Sequence, residues 1–389
     1  MSFLSRFDAY HEQAAQLTKL SDFGSIDYVV PMKLLLADYD KYCPHTPKGE
    51  ILSSGGIIGL LVSRLFAHQG FKEHPKFANA GVESPIIITG MPRTGSTALQ
   101  KLLAKDPGTQ WLPPFLAGAP MPRPPRETWE GNSMYQAMTE GLEQIYKLVP
   151  EVRQIHPMVA GEADECRFGM GGSFWCPDAA FTGPTRGAYA EWLSGPEPQS
   201  AYQYYRQVLG LVAGGDKRQW ILKDPTTHPF APRTMLATFP DARIVYTHRD
   251  PVASMSSASA MMYWVRRWRI DGLTPEQNGR DQLAFWSPAV ERLEKALSTV
   301  DPARVVHVHM KELHEDPVGT AERIYRHFKL PVTNAAKQAW HEHVAKDPRS
   351  GHGVHLHKPE ESGISAADVQ RAVPKYWAGY AKRYGTMMY

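Results

Sequence analysis

At 389 residues the chain exceeds one minimal domain and falls short of three, at ~100–200 residues per domain. Its 43 basic and 40 acidic residues leave a net charge of +3, so no global field points to nucleic acid. Hydrophobic residues at 42% and charged residues at 21% fit a folded chain; Cys43, Cys166 and Cys176, with no Cys-x-x-Cys pair, build neither a disulfide framework nor a structural zinc site.

Residues 1–80 are expected to form an N-terminal helical segment packed on a core domain, 81–389. Apolar residues recur at helical spacing in Tyr28–Tyr39 and Ile57–Phe66. The most apolar stretch, Gly55 to Leu61, meets Ser63 and Arg64 at once and falls short of the ~20 residues of a membrane span. The opening MSFLSRFDAYHEQ lacks an apolar signal core. The expectation is a reduced, cytoplasmic protein with no membrane span.

At Pro85 the character changes. Ile86-Ile87-Ile88-Thr89 is a short β-branched run that fits a strand buried on both faces. Similar runs follow at Gln219–Leu222, Arg243–Thr247 and Arg304–His309, separated by helical patterning. That alternation argues for a parallel sheet covered by helices. Prolines, 32 against 31 glycines, gather at Pro113–Pro125 and Pro177–Pro198, which reads as long ordered loops.

The first strand runs into Gly90-Met91-Pro92-Arg93-Thr94-Gly95-Ser96-Thr97 and then an amphipathic helix. A strand, a glycine-bearing turn and a helix N-terminus make a phosphate cradle, because successive N–H groups converge on one point. Gly90-x4-Gly95 has P-loop spacing, but Ser96 stands where a nucleotide triphosphatase needs lysine, and Arg93 sits inside the loop. A bare strand-to-helix turn would need neither the charge nor the three hydroxyls of Thr94, Ser96 and Thr97.

The strand Ile244–Thr247 leads into His248-Arg249-Asp250-Pro251, with Ser257 eight positions after Arg249. This pattern resembles the 3′-phosphate element of sulfotransferases, and Pro92-Arg93-Thr94-Gly95-Ser96-Thr97 resembles that family's 5′-phosphosulfate loop. The match is nearest the bacterial branch with an arginine in the loop. Trp220-Ile221-Leu222-Lys223-Asp224-Pro225 and Leu313-His314-Glu315-Asp316-Pro317 resemble further segments of that branch, so that the likeness covers roughly residues 84–365. The family implies a P-loop-like α/β fold and the donor 3′-phosphoadenosine 5′-phosphosulfate (PAPS), with adenosine 3′,5′-bisphosphate (PAP) as product. It implies donor binding by Arg93, Thr94, Gly95, Ser96 and Thr97 at the 5′ end. Arg249 and Ser257 would take the 3′-phosphate, with Arg349 as a second ligand there. An Arg249–Asp250 ion pair is the plain structural alternative. No metal is required by the motif.

Sulfuryl transfer needs a proton removed from the acceptor and charge stabilised on the departing phosphate. Lys223, at the end of a central strand, is the candidate stabiliser together with Arg93. Relatives place a catalytic glutamate after the loop helix, but no acidic residue occurs between Asp106 and Glu127. The next carboxylates are Glu162, Asp164 and Glu165. If this stretch is helical, Glu162 and Glu165 share a face, and their repulsion would raise one pKa and make a general base. His228 is the rival base. The histidines of Gly351–His357 sit in a glycine-rich loop without carboxylate partners, so a metal reading is set aside. His307 and His309, alternating on one strand face, are expected to be satisfied core or edge residues.

The resulting expectation is a PAPS-dependent sulfotransferase acting on a small hydroxylated acceptor. Aromatic loops around Trp111–Trp129 and Phe174–Trp192 suggest that the acceptor is apolar. The alternatives are a nucleotide-dependent kinase or phosphotransferase on the same core, against which the missing P-loop lysine argues, and a non-catalytic nucleotide-binding protein.

Overall fold

Proline sets the start of many helices in the computed structural model, which describes residues 2–346 and 362–385. Helices begin at Pro47, Pro114, Pro177, Pro232, Pro275 and Pro374, among others. The fixed φ of proline suits a first helical turn, where its missing N–H leaves no hydrogen bond unmade. The stretches 113–125 and 177–198 are accordingly not the long loops expected. They hold the short helices Pro114–Gly118, Pro177–Phe181 and Ala188–Ser194.

Helices α1 (Phe7–Thr18), α2 (Val29–Tyr42) and α3 (Pro47–Glu73), with a short helical turn at Pro75–Ala78, precede strand β1 (Ile86–Gly90). Helix α4 (Ser96–Leu103) follows, then the two-residue strand β2 (Thr109–Gln110) and, after the short helices, α5 (Gln199–Ala213). Strands β3 (Gln219–Lys223) and β4 (Arg243–His248) lead to α6 (Pro251–Arg266) and α7 (Pro275–Leu297). Strand β5 (Val305–His309) is succeeded by α8 (Pro317–His327), α9 (Asn334–Lys346) and α10 (Pro374–Tyr384).

The chain divides into two compact units, Met1–Val82 with Leu112–Lys217 and Met261–Thr274, and Glu83–Trp111 with Arg218–Ala260 and Pro275–Tyr389. The second holds the sheet, in the order β2-β3-β1-β4-β5 with every pairing parallel. All five β1 residues are buried, as the Ile-Ile-Ile run requires of a central strand covered on both sides. Ile86, Ile88, Ile221, Val245 and Val306 form one core face with Leu99 and Leu103 of α4, Ile324 of α8 and Trp340 of α9. Each fully buried aliphatic side chain there contributes about 1.5–3 kcal/mol. Ile88 pairs with both Lys223 and Val245, and Gly90 with Thr247, so the carboxyl ends of β3, β1 and β4 lie side by side. Open parallel sheets bind their ligands at that edge.

The first unit is helical. Helix α3 continues past Ser63 and Arg64, where the apolar stretch was read to end, and by length and composition alone it is apolar enough to cross a membrane. Its internal charge is fully accommodated by the unit. Arg64, 1% exposed, donates to the carbonyls of Phe23 at 2.6 Å and Gly172 at 2.9 Å and pairs with Asp27 at 3.1 Å. Ser63 donates to the Ala117 carbonyl at 2.7 Å.

Candidate active site

The turn after β1 needs glycine at both ends, for different reasons. At Gly90 (φ +156°) a Cβ would stand 2.5 Å from the Thr247 carbonyl of β4. Gly95 enters α4 in the left-handed region at φ +86°, where a side chain costs energy. Arg93 is also left-handed, at φ +68°, a conformation non-glycine residues hold only when their surroundings impose it. Those surroundings are hydroxyls. Thr94 donates to the Met91 carbonyl at 2.8 Å and lies 2.6 Å from the Thr247 hydroxyl, and Ser254 of α6 donates to the Pro92 carbonyl at 2.7 Å. The loop thus hangs on β4 and α6, with the first N–H groups of α4 free of intrahelical acceptors.

Arg249 and the buried Lys223 converge on this loop, which carries Arg93 itself. Lys223, with no exposed surface, donates to Thr97 Oγ1 at 3.1 Å. Arg249 Nη1 donates to the Arg93 carbonyl at 3.4 Å, and Arg93 Nε to Ser257 Oγ at 3.3 Å. The Arg249/Ser257 pair and the glycine-bearing loop therefore meet through Arg93. Burial of the Arg249 guanidinium lowers its pKa, against the opposing pull of Asp250, and a guanidinium stays charged throughout. Asp250 itself accepts the Ala253 N–H at 2.8 Å, near the start of α6. Such an edge, rich in donors and positive charge in a half-dry setting, suits an anionic ligand with more than one charged group.

The acidic segment differs from the helical expectation. Residues 162–165 are irregular, and the nearest helix begins at Arg167. Asp164 Oδ1 accepts the N–H of Glu165 at 2.8 Å, a local bond that competes with helix formation. The shared helical face of Glu162 and Glu165 is therefore lost, and the repulsion argument with it. Glu165 is buried and meets Arg167 Nε at 2.6 Å, while Glu162 is half-buried. Arg167 also reaches Asp178 at 3.2 Å, and His156 lies 3.4 Å from Asp164. Donor atoms of His156, Asp164 and Glu165 come within 4.8 Å of one another, but these ion pairs account for their grouping. All of them belong to the first unit.

His228 opens a short 3-10 turn in the second unit, wholly buried. Burial pushes its pKa down to about 4, against the upward pull of Asp224, so the ring is neutral near pH 7. Asp224 Oδ1 accepts the N–H groups of Thr226 and Thr227 at 2.7 and 2.8 Å and shapes the turn between Lys223 and His228. Arg349 and the histidines of 352–357 lie outside the described residues. Several aromatics expected to line an acceptor site are interior packing. Trp129 stands edge-on to Phe115 at 4.9 Å, and Trp175 edge-on to Trp192 at 5.1 Å.

Thr247, Ser254 and Asp224 escaped the reading of the sequence. Asp224-Pro225-Thr226-Thr227 carries a turn signal that would have found Asp224. The other two act through contacts far apart in sequence.

The profile of the sulfotransferase family matches residues 85–334. Among solved structures, sulfotransferase STF1 from Mycobacterium tuberculosis is 31% identical, with 96% of this chain and 99% of that one covered at a TM-score of 0.86. Sulfotransferase STF9 from Mycobacterium avium is 24% identical, covers 98% and 97%, and shares the fold at a TM-score of 0.86. A curated relative, omega-hydroxy-beta-dihydromenaquinone-9 sulfotransferase Stf3 of Mycobacterium bovis, is 31% identical over 113 residues, and the match spans 28% of each chain. With the profile spanning well over half of its length, and a glycine-bearing loop, a buried lysine and an arginine–serine pair on one sheet edge, the chain belongs to the sulfotransferase family.

Proposed function

We propose that the protein transfers a sulfuryl group from PAPS to a hydroxyl of a small, apolar acceptor. The observation that carries this reading is the meeting of two anion-holding elements through Arg93, one built on Gly90–Thr97 and the other on Arg249 and Ser257. A donor with phosphate groups at its 5′ and 3′ positions needs two such elements, whereas AMP needs one. PAPS supplies a sulfuryl group already bonded to a good leaving group. The N–H groups of α4, with Thr94, Ser96 and Thr97, hold the 5′ end. Lys223, buried beside Thr97, stabilises the charge that grows on the departing phosphate. Arg249 and Ser257 bind the 3′-phosphate, and Arg349 is assigned there only by the family resemblance.

In the transfer step the acceptor oxygen bonds to sulfur and the sulfur–oxygen bond to the phosphate breaks. PAP departs with the electron pair, and the acceptor proton passes to a base. The family resemblance alone assigns that base to Glu165, with Glu162 three positions before it. Its carboxylate is buried and oriented by Arg167. His228 is the rival base, with no exposed surface.

The apolar nature of the acceptor is supported by the named substrate of the curated relative, a hydroxylated menaquinone. Incubation with sulfur-labelled PAPS and a panel of hydroxylated acceptors tests the reading. Label should appear in an apolar alcohol or phenol without added divalent metal. Transfer of phosphate from ATP in place of sulfuryl from PAPS would reverse it in favour of a kinase.

A further inference from the structure

Among the described residues, helix α3 of the first unit leaves one side uncovered along its first half. Lys48, Ile51, Gly55, Ile58 and Val62 follow at helical spacing on one face, and no charge stands between Ile51 and Ser63. Lys48, Ile51 and Gly55 are exposed, Ile51 to 64%, and Ile58 and Val62 are half-buried. Of the most apolar eighteen residues of the helix, 39% are buried. A helix this apolar belongs to a core when it is packed all round, and α3 is not.

The segment that closes α6 extends this face with aromatic rings and cations. Thr46, the N-cap of α3, donates through its hydroxyl to the Trp268 carbonyl at 2.5 Å and through its N–H to the Arg269 carbonyl at 3.0 Å. Residues 264–269 are thereby fastened to the helix start. The Arg267 guanidinium lies 3.7 Å from the centre of the Trp264 ring and 5.1 Å from that of Trp268, and the Lys48 ammonium lies 4.6 Å from the Trp268 ring centre. Trp264, 38% exposed, Arg267, Trp268 and Lys48 form one row, and Lys48 belongs to the apolar face of α3 as well. Glu151 pairs with Arg267 at 3.2 Å, while Arg269 donates to the Ser53 hydroxyl at 3.2 Å, so that the row carries an excess of positive charge.

An uncharged apolar face beside tryptophans and stacked cations has the composition of an interfacial anchor. Its rings sit at the level of lipid headgroups, its aliphatic side chains enter just below, and its cations reach lipid phosphates. An apolar alcohol or phenol of the kind assigned to the acceptor partitions into lipid, and a protein meets it at a bilayer surface. We propose that this face of the first unit is a peripheral docking surface for an anionic lipid bilayer, with Ile51 and Trp264 entering the headgroup boundary and Lys48 and Arg267 meeting lipid phosphates. The choice of a lipid over a protein partner rests on the reading of the acceptor as apolar.

Sedimentation of the full chain with vesicles tests this and needs neither donor nor acceptor. Wild type should bind vesicles of equimolar phosphatidylglycerol and phosphatidylcholine, and bind vesicles of phosphatidylcholine alone less. Lys48→Ala should weaken binding to the mixed vesicles about fivefold, the share of one cation near an anionic surface. Ile51→Asp should weaken it about tenfold or more. Both side chains are exposed, and circular dichroism should show both variants folded; should Ile51→Asp not fold, Trp264→Ala takes its place with the same expected loss. A wild type that stays in solution beside the mixed vesicles, or a folded Ile51→Asp variant that binds them as wild type does, overturns the proposal. So does a dimer in analytical ultracentrifugation that Ile51→Asp splits, for a second copy then covers this face. If the vesicles bind while no apolar alcohol accepts label from PAPS, the docking surface stands and the reading of the acceptor fails.

Discussion

Lys223 is a buried cation whose ammonium group donates to the hydroxyl of Thr97, in the first turn of the loop helix. A charge so placed matters most when charge develops on a bound phosphate, and less in the resting complex. Lys223→Met should therefore lower kcat by about 10²–10³ with a smaller change in donor affinity. Steady-state kinetics that instead showed a raised donor KM at normal kcat would make Lys223 a binding residue. The base is a separate question at the same scale. Glu165→Gln keeps the shape of the side chain and removes its basicity, and kcat should fall about 10²–10⁴-fold. His228→Asn should keep most of the turnover at pH 7.5. The reverse pattern in the two variants would transfer the role to His228.

Among the elements, the strand–turn–helix unit of β1 and α4 depends most on single residues. Gly95 holds φ +86°, so Gly95→Ala places a Cβ in the left-handed region at a cost of about 1–2 kcal/mol. The same change disturbs the N–H groups that face the donor, and titration should show PAP affinity falling further than thermal stability. Equal affinity would mean that the loop does not hold the donor. This unit was legible in the sequence because its signals are local: a run of four β-branched residues, two glycines and an amphipathic helix within eighteen residues, 86–103. Strand β2 was not legible, since two residues carry no alternation. The proline-rich stretches misled because proline both breaks a helix interior and favours a first turn. Residues 162–165 misled because helical spacing says nothing of Asp164 bonding the next backbone N–H.

Across the whole molecule, buried neutral histidines tie stability to pH. His228 titrates at about 4 when folded, against an ordinary value of 6.5 in the unfolded chain. Between those values the unfolded chain binds a proton that the folded one does not, so stability is full above pH 6.5 and falls as pH drops through the window. By pH 5 the loss from this residue is about 2 kcal/mol. Denaturant unfolding at pH 7 and pH 5 should show a shallower loss for His228→Asn than for wild type, and parallel losses would place the proton elsewhere. The central claim concerns two anion-holding elements on one sheet edge. Its most direct measurement is calorimetric titration of the wild-type protein with PAP, AMP and ATP in the presence of a chelator. The account predicts that PAP binds well above both, with no divalent metal present. Affinity for AMP equal to that for PAP, or tight ATP binding that needs magnesium, would contradict it.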